Sequence, residues 1–175
     1  MDRADRGLSL IEITVAFGII VIALLGIMSA LIQAMRTDEA TAEQVRAMNA
    51  CRSIIEQMKQ APFAEIYARF NNAAADDPGG AGTAPGKNFA VQGLRTRAGD
   101  ADGQPGEIFF PESGGNLCET VVDTRLGMPR DLNGDPDALD INVSTTYIIL
   151  PVRIVIDWQG ARGPAHFEMS TFLNP

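Results

Sequence analysis

The sequence predicts an α+β protein in which a long amino-terminal helix packs on a carboxy-terminal antiparallel β-sheet. No proline occurs in residues 9–60, and the only glycines there lie inside an apolar run, which favours one continuous helix. Residues 71–87 are rich in Asn, Ala, Asp, Pro and Gly and have no periodicity, which is typical of a loop. The last third of the chain alternates apolar and polar residues as strands do. Helix, loop and sheet in this order indicate an α+β fold.

The first half of this helix is predicted to cross a membrane. Residues 13–35 contain no charged side chain, and this run exceeds the roughly 20 residues that a helix needs to span a bilayer. Apolar residues surround the helix on all sides, so it lacks the polar face of an interfacial helix. The run is also longer than the apolar region of a cleaved secretory signal. Arg3 and Arg6 precede it, which predicts a cytoplasmic amino terminus and a carboxy-terminal domain outside.

Glu12 stands at the edge of the apolar run, where a carboxylate is costly and usually has a partner. The alternative is that it lies at the depth of the lipid headgroups. The stretch from Gly7 to Glu12 reads Gly-Leu-Ser-Leu-Ile-Glu and resembles the processing site of type IV pilins and type II secretion pseudopilins. In that family a prepilin peptidase removes a leader that ends in glycine. The new terminal residue is N-methylated, and a glutamate is the fifth residue of the mature chain.

The resemblance implies that residues 1–7 are a cleaved leader and that the cut falls between Gly7 and Leu8, with methylation of Leu8. It also implies that Glu12 pairs with the new amine, in its own helix or in a neighbouring subunit, and so sets the assembly register. The first mature residue is leucine where phenylalanine or methionine is commoner, and the leader carries two aspartates beside its arginines. The run lacks the proline of many major pilins. This favours a minor subunit, most like a V-type minor pilin or an I-type pseudopilin.

Residues 8–35 are thus assigned to the membrane half of the helix, and residues 36–70 to its amphipathic continuation. Apolar side chains recur at helical spacing, at Ala47, Met48, Cys51, Ile54, Ile55 and Met58. Polar residues occupy much of the remaining surface, at Glu43, Arg46, Arg52, Glu56 and Lys59. Pro62 should end or kink the helix. A short second apolar stripe then predicts one or two further helical turns that belong to the core rather than to a ligand site, at Phe63, Ile66, Tyr67 and Phe70.

Residues 71–175 are predicted to form a loop followed by the sheet. Five strands are expected, at residues 89–94, 107–110, 143–150, 152–158 and 166–173. The last two strands should form a hairpin around the turn at residues 159–163. In the strand at 152–158 the residues Val152, Ile154, Ile156 and Trp158 share one face, and we expect the long helix to cover it.

Composition restricts the classes of function. The chain has a net charge of −8 and no cluster of Lys and Arg, which argues against a nucleic-acid surface. Its two cysteines, Cys51 and Cys118, would face an oxidising compartment if the domain is outside, and there they could form a disulfide. Buried free thiols are the alternative.

A candidate calcium loop begins at Asp131. Oxygen-bearing side chains alternate along it, at Asp131, Asn133, Asp135 and Asp137. The pattern resembles only the first half of an EF-hand or dockerin loop, because Pro136 replaces the required glycine and Asn142 the bidentate glutamate. An Asx-rich turn explains the same residues without an ion.

Nothing in the sequence predicts an enzyme, and no cofactor other than calcium is expected. His166 lies two residues from Glu168 in a predicted strand, but no second histidine or nearby thiol suggests zinc. No nucleophile elbow or phosphate-binding loop is present in the sequence.

The function expected from these patterns is a structural one. The chain would be a minor pilin or pseudopilin, a subunit or assembly-priming component of a type IV pilus or a type II secretion pseudopilus. Its partners would be other pilins, the prepilin peptidase and the inner-membrane assembly platform. It would start as a single-pass protein of the inner membrane, with its carboxy-terminal domain outside, and then enter a filament in the periplasm or at the cell surface. The alternative is a membrane-tethered extracytoplasmic binding protein, with or without calcium.

Overall fold

The computed structural model describes residues 9–175 and contains one long helix, α1, from Leu10 to Gln60. The continuous helix predicted over residues 9–60 is therefore confirmed. Between its ends α1 contains no proline. Its two glycines lie in the apolar run, and the intrahelical hydrogen bonds continue through them.

The chain divides into two compact units, Met1–Thr41 and Ala42–Pro175. In the described part of the first unit every residue is helical after position 9, and nearly all side chains are exposed. The second unit holds the rest of α1 and all the strands. This boundary falls inside the segment 36–70 that the sequence assigns to the amphipathic continuation.

Two short helical turns follow α1. Residues 61–62 leave the helix, a 3₁₀ turn spans Phe63–Glu65, and α2 spans Ile66–Phe70. The predicted further turns after Pro62 are confirmed. Ile66, Tyr67 and Phe70 are buried in the core and Phe63 packs against it, as the core interpretation requires. A second 3₁₀ turn, Ala74–Asp76, lies in the predicted loop.

The main sheet has four antiparallel strands in the order β1-β2-β5-β6. Its strands are β1 (Asn88–Phe89), β2 (Gly106–Phe109), β5 (Leu150–Gly160) and β6 (Gly163–Leu173). A separate two-stranded hairpin consists of β3 (Glu112–Ser113) and β4 (Asn116–Leu117). The predicted hairpin at the end of the chain is confirmed, because β5 and β6 pair along their whole length up to Gly160 and Gly163.

The strand predicted at residues 143–150 is wrong except for its last residue, which begins β5. Backbone groups in this stretch bond single residues of the β3–β4 hairpin and of a loop instead of forming a strand ladder. The N–H of Val143 donates to the carbonyl of Leu117 (2.8 Å), and the N–H of Ile148 donates to the carbonyl of Leu132 (2.7 Å). Val143 and Tyr147 are buried all the same. Their apolar character reflects packing of a turn rather than strand pairing.

Two smaller corrections concern the first strands. The strand predicted at residues 89–94 is wrong except for Phe89, which lies in β1, and the N–H of Leu94 instead bonds the carbonyl of Val91 in a turn (3.2 Å). The hairpin β3–β4 was not predicted, since four strand residues around two glycines carry no alternating pattern.

The second unit is held together by α1 packed on one face of the sheet. From β5, Val152, Ile154 and Ile156 have no exposed surface and Trp158 is 2% exposed. From α1, the buried apolar side chains are Ala47, Cys51, Ile54, Ile55 and Met58. The predicted cover of the sheet by the amphipathic part of the helix is confirmed.

Candidate functional site

The processing site predicted at Gly7 and Leu8 lies outside the described residues. Glu12 is described and lies in the first turn of α1, where its N–H donates to the carbonyl of Ser9 (3.0 Å). Its side chain is exposed and has no ion-pair partner among residues 9–175. A carboxylate in the first turn also interacts favourably with the helix dipole. The Glu12 carboxylate is therefore available to pair with a cation from outside residues 9–175.

The apolar run presents a continuous exposed surface. Its large side chains range from 43% exposed at Ile13 to 72% at Ile22, and none of the 18 residues in its most apolar window is buried. Full burial of one such side chain contributes roughly 1.5–3 kcal/mol. By length and composition α1 can cross a membrane. A surface of this size requires either lipid or other helices.

The calcium loop predicted from the sequence is only partly assembled. The carboxylate oxygens of Asp135 and Asp137 lie within 4.8 Å of each other and of a third carboxylate, that of Glu119. Asp131 is not in this group, and Asn133 contacts it by donating from Nδ2 to Asp135 Oδ2 (3.1 Å). Asp131 Oδ1 instead accepts hydrogen bonds from the N–H groups of Asn133 (3.1 Å) and Gly134 (2.6 Å). This is the Asx turn that the sequence left open as the alternative.

Glu119 is the ligand candidate that the sequence did not reveal. It has no exposed surface, and its two oxygens accept hydrogen bonds from the N–H groups of Leu132 (2.6 Å) and Asp140 (3.3 Å). It stands twelve residues before the loop, so only the fold brings it near Asp135. The sequence did contain one signal that Glu119 is buried, since this acidic residue directly follows the apolar pair Leu117-Cys118.

The donor set fits a calcium ion. Oxygens that share one Ca²⁺ at 2.3–2.6 Å lie at most about 5 Å apart, and three carboxylates provide up to six oxygens. The same crowding acts on the neighbouring Asp140. Partial burial, and then the negative charges of Asp135 and Glu119, raise the pKa of the Asp140 carboxyl. Asn133 opposes this shift by donating from Nδ2 to Asp140 Oδ2 (2.8 Å).

The two cysteines are free and buried, so the predicted disulfide between Cys51 and Cys118 is not formed in this structure. Cys51 belongs to the core cluster between α1 and the sheet, whereas Cys118 lies outside that cluster. The Cys118 thiol donates to the carbonyl of Ile141 (2.8 Å). Burial raises the pKa of the Cys51 thiol to about 11, which makes it a poor nucleophile.

His166 lies on the outer face of the sheet and is half exposed. Its Nδ1 is 3.2 Å from Asp157 Oδ1 and its Nε2 is 3.6 Å from Glu168 Oε2. The shared face predicted for His166 and Glu168 is therefore present. The group has two carboxylates and no second imidazole or thiol among the described residues, so it forms a surface ion-pair network rather than a zinc site.

Comparison of the chain with protein families, with curated proteins and with solved structures finds no match. The architecture and the two candidate regions, the exposed apolar surface and the acidic loop, therefore carry the functional argument.

Proposed function

We propose that this chain is a minor pilin or pseudopilin, a structural subunit or assembly-priming component of a type IV pilus or a type II secretion pseudopilus. One combination supports the proposal. A prepilin-like motif from Gly7 to Glu12 ends in the first turn of a helix whose large apolar side chains are exposed as far as Met35, and the same helix packs on an antiparallel sheet after Ala42.

The physical chemistry of the parts agrees with such a role. The exposed surface of α1 is equally compatible with lipid and with neighbouring helices, because helices in a membrane associate by packing and polar contacts rather than by hydrophobic burial. Removal of residues 1–7 would create a cation on Leu8, the partner that Glu12 lacks within the described chain. The partners would be sibling pilins, the peptidase and the assembly platform of the inner membrane.

The decisive experiment is the intact mass of the membrane-extracted protein, expressed with and without a prepilin peptidase. We expect loss of Met1 to Gly7 and the gain of one methyl group only when the peptidase is present. An uncut chain in both samples would overturn the proposal and leave the membrane-tethered protein as the interpretation.

A first prediction concerns Glu12. The variant Glu12→Ala should be processed like the original chain but should not enter filaments, because the amine of Leu8 loses its partner. The measurement is the amount of the protein in sheared filaments relative to membranes. Glu39→Ala, a charge removal on an exposed position of the same helix beyond the apolar run, is the matched control and should assemble. Normal incorporation of Glu12→Ala would refute this role.

A second candidate function is a tethered binding protein that depends on calcium, and the group Glu119, Asp135 and Asp137 favours it. Bound calcium would neutralise three crowded carboxylates and tie the loop to the rest of the unit. Millimolar calcium should therefore raise the Tm of the full chain in detergent, whereas the double variant Asp135→Asn, Asp137→Asn should not respond. Absence of any shift and of any heat in calorimetry would exclude the ion.

A further inference from the structure

The open edge of the sheet at β6 is much longer than the opposite edge. In the order β1-β2-β5-β6 the two outer strands are β1, with two residues, and β6, with eleven. An edge strand presents a row of N–H and C=O groups that can pair with another chain. A very short edge strand such as β1 offers few groups for pairing with another chain, whereas the eleven residues of β6 lack this protection.

The register shows which groups of β6 point outward. On β5, the N–H groups of Asp157 and Gln159 bond Pro105 (2.8 Å) and Arg95 (2.8 Å), away from β6. Because hydrogen bonding alternates along an antiparallel strand, the residue between them, Trp158, directs its N–H and C=O groups toward β6. The register then gives the β6 residues whose N–H and C=O groups point away from β5, which are His166, Glu168, Ser170 and Phe172. None of their backbone groups has a hydrogen-bond partner within residues 9–175.

The usual protections of an edge are weak here. Pro164 removes one outward N–H, but it is only the second residue of the strand. Glu168 places a charge at the middle of the edge, yet its carboxylate lies 3.1 Å from the guanidinium of Arg125 and 3.7 Å from that of Arg153. Its charge is therefore compensated within the chain and does not repel an incoming strand.

A groove continues from the carboxyl end of this edge. It has a volume of about 450 Å³ and is lined by Lys59, Ala61, Phe63, Ile66, Phe172, Leu173, Asn174 and Pro175. Phe172, which is 47% exposed, belongs to both features, because its backbone lies at the open edge and the residue is among those that line the groove. Strand addition with a pocket for an alternate side chain is a recurrent way to bind an extended peptide.

Two cations lie near this end of the edge although the chain carries a net charge of −8: Arg130 contacts the ring of Phe172, and Lys59 lines the groove. The guanidinium carbon of Arg130 lies 4.8 Å from the centre of the Phe172 ring, and Arg130 has no carboxylate partner in the described part of the chain. Lys59 forms an exposed ion pair with Glu56 (3.2 Å), which contributes little. The complement of the unpaired Arg130 is an acidic group.

We propose that the open edge of β6 binds an extended segment of a partner protein as an added strand, with an apolar side chain of that segment in the groove and an adjacent acidic side chain at Arg130. Backbone pairing at residues 166–172 provides affinity, and the groove together with Arg130 selects the segment. The inference does not depend on cleavage at Gly7.

The test uses the full chain in detergent micelles and a fluorescent probe peptide of eight residues, alternating Thr and Val with one Asp-Phe pair. Anisotropy measures its binding. We expect saturable binding, at least tenfold tighter than that of a peptide in which the Asp-Phe pair is replaced by Asp-Ala or by Lys-Phe.

Two substitutions separate the backbone from the charge. Ser170→Pro removes one outward N–H and leaves the hydrogen bonds to β5, so it should weaken binding of the Asp-Phe peptide at least tenfold. Ser170→Ala, the matched control, keeps the N–H and should bind within twofold of the original chain. Arg130→Glu should exchange the preference from the Asp-Phe to the Lys-Phe peptide.

The Tm of each variant shows whether its unit remains folded. Should Ser170→Pro unfold the protein, a probe peptide N-methylated at alternate positions serves as the second test, because it lacks the donors that strand addition needs and should lose binding tenfold. No saturable binding of the Asp-Phe peptide to the original chain would overturn the proposal. Equal binding by folded Ser170→Pro and Ser170→Ala would also overturn it.

Discussion

Glu43 is the residue whose environment differs most from its expected one. The sequence places it among the polar residues of the amphipathic helix, but it is 8% exposed. Its Oε2 accepts a hydrogen bond from Trp158 Nε1 (3.1 Å), and its carboxylate accepts from the N–H of Ala161 (3.2 Å). It therefore joins α1 to the turn of the β5–β6 hairpin. A signal existed, since position 43 lies one turn before Ala47 on the buried face.

The variant Glu43→Ala should destabilise the folded unit. It leaves a buried indole N–H and a turn N–H without their acceptor, which costs about 1–3 kcal/mol. We expect Tm to fall by roughly 3–12 °C. Thermal unfolding followed by Trp158 fluorescence measures it, because this is the sole tryptophan of the chain.

Glu56→Ala is the matched control for Glu43→Ala. Glu56 lies on the exposed side of the same helix, where it forms an ion pair with Lys59, so Tm should change by about 2 °C or less. Equal effects of the two substitutions would show that the contact with Trp158 does not stabilise the fold.

At the scale of an element, the conformation of the loop from Asp131 to Asp140 is held by hydrogen bonds from backbone N–H groups to carboxylates rather than by strand pairing. Asx turns hold it locally, through successive hydrogen bonds such as that from Asp137 N–H to Asp135 Oδ1 (3.2 Å). Glu119 holds it to the rest of the unit. The cost of this arrangement is a concentration of negative charge, visible in the raised pKa of Asp140.

Removing the charge of Asp140 should stabilise the calcium-free protein at neutral pH. The pKa of Asp140 is raised above its ordinary value of 3.8, so the folded state binds this proton more tightly than the unfolded state. The favourable effect of protonation is complete below pH 3.8 and is lost as the pH rises through the folded-state pKa. Asp140→Asn should therefore raise Tm by a few degrees at pH 7 and change it little near pH 3.5.

The measurement is a pair of thermal unfolding curves in a calcium chelator at each pH. Asp100→Asn is unsuitable as a control because the pKa of Asp100 is raised as well, by a hydrogen bond with Asp102. Asp38→Asn, outside the folded unit, is the appropriate one. A gain for Asp140→Asn that is equal at both pH values would contradict the electrostatic explanation.

At the scale of the whole molecule, the buried core and the exposed apolar surface are separated along the chain. Every residue of the core cluster lies between Ala47 and Leu173, within the unit Ala42–Pro175. The large exposed apolar side chains between Leu10 and Met35 lie in the other unit. The two parts therefore differ in what they expose, and only the helix of the first unit is long and apolar enough to cross a membrane among the described residues.

A chain that begins at Ala42 should fold by itself and remain soluble without detergent. It retains the part of α1 that covers the sheet, including Glu43, and omits the apolar run. We expect one cooperative unfolding transition and a monomeric mass by light scattering. A chain that begins at Met58, which lacks most of the helical cover, is the comparison and should aggregate. Failure of the first chain to fold would show that residues before Ala42 contribute to the core.

The sequence by itself determined the elements whose signals are local and periodic. The helix over residues 10–60, its end before Pro62 and the hairpin β5–β6 follow from spacing, helix breakers and turn residues, which act within a few positions of the chain. The apolar run can likewise be found from sequence alone, because its length and composition suffice to show that the helix is able to cross a membrane. The processing motif at Gly7 is also a property of sequence and stays a prediction.

Only the tertiary structure decided the features that depend on contacts between distant residues. The turn at residues 143–149 has the composition of a strand, but its N–H groups find partners at Leu117 and Leu132 rather than in a ladder. Glu119 reaches the acidic loop, and Glu43 reaches the hairpin, only when the chain is packed. The open edge of β6 depends on strand order. A carboxylate is placed by whichever N–H groups the fold brings within hydrogen-bond reach, and no local pattern encodes that distance.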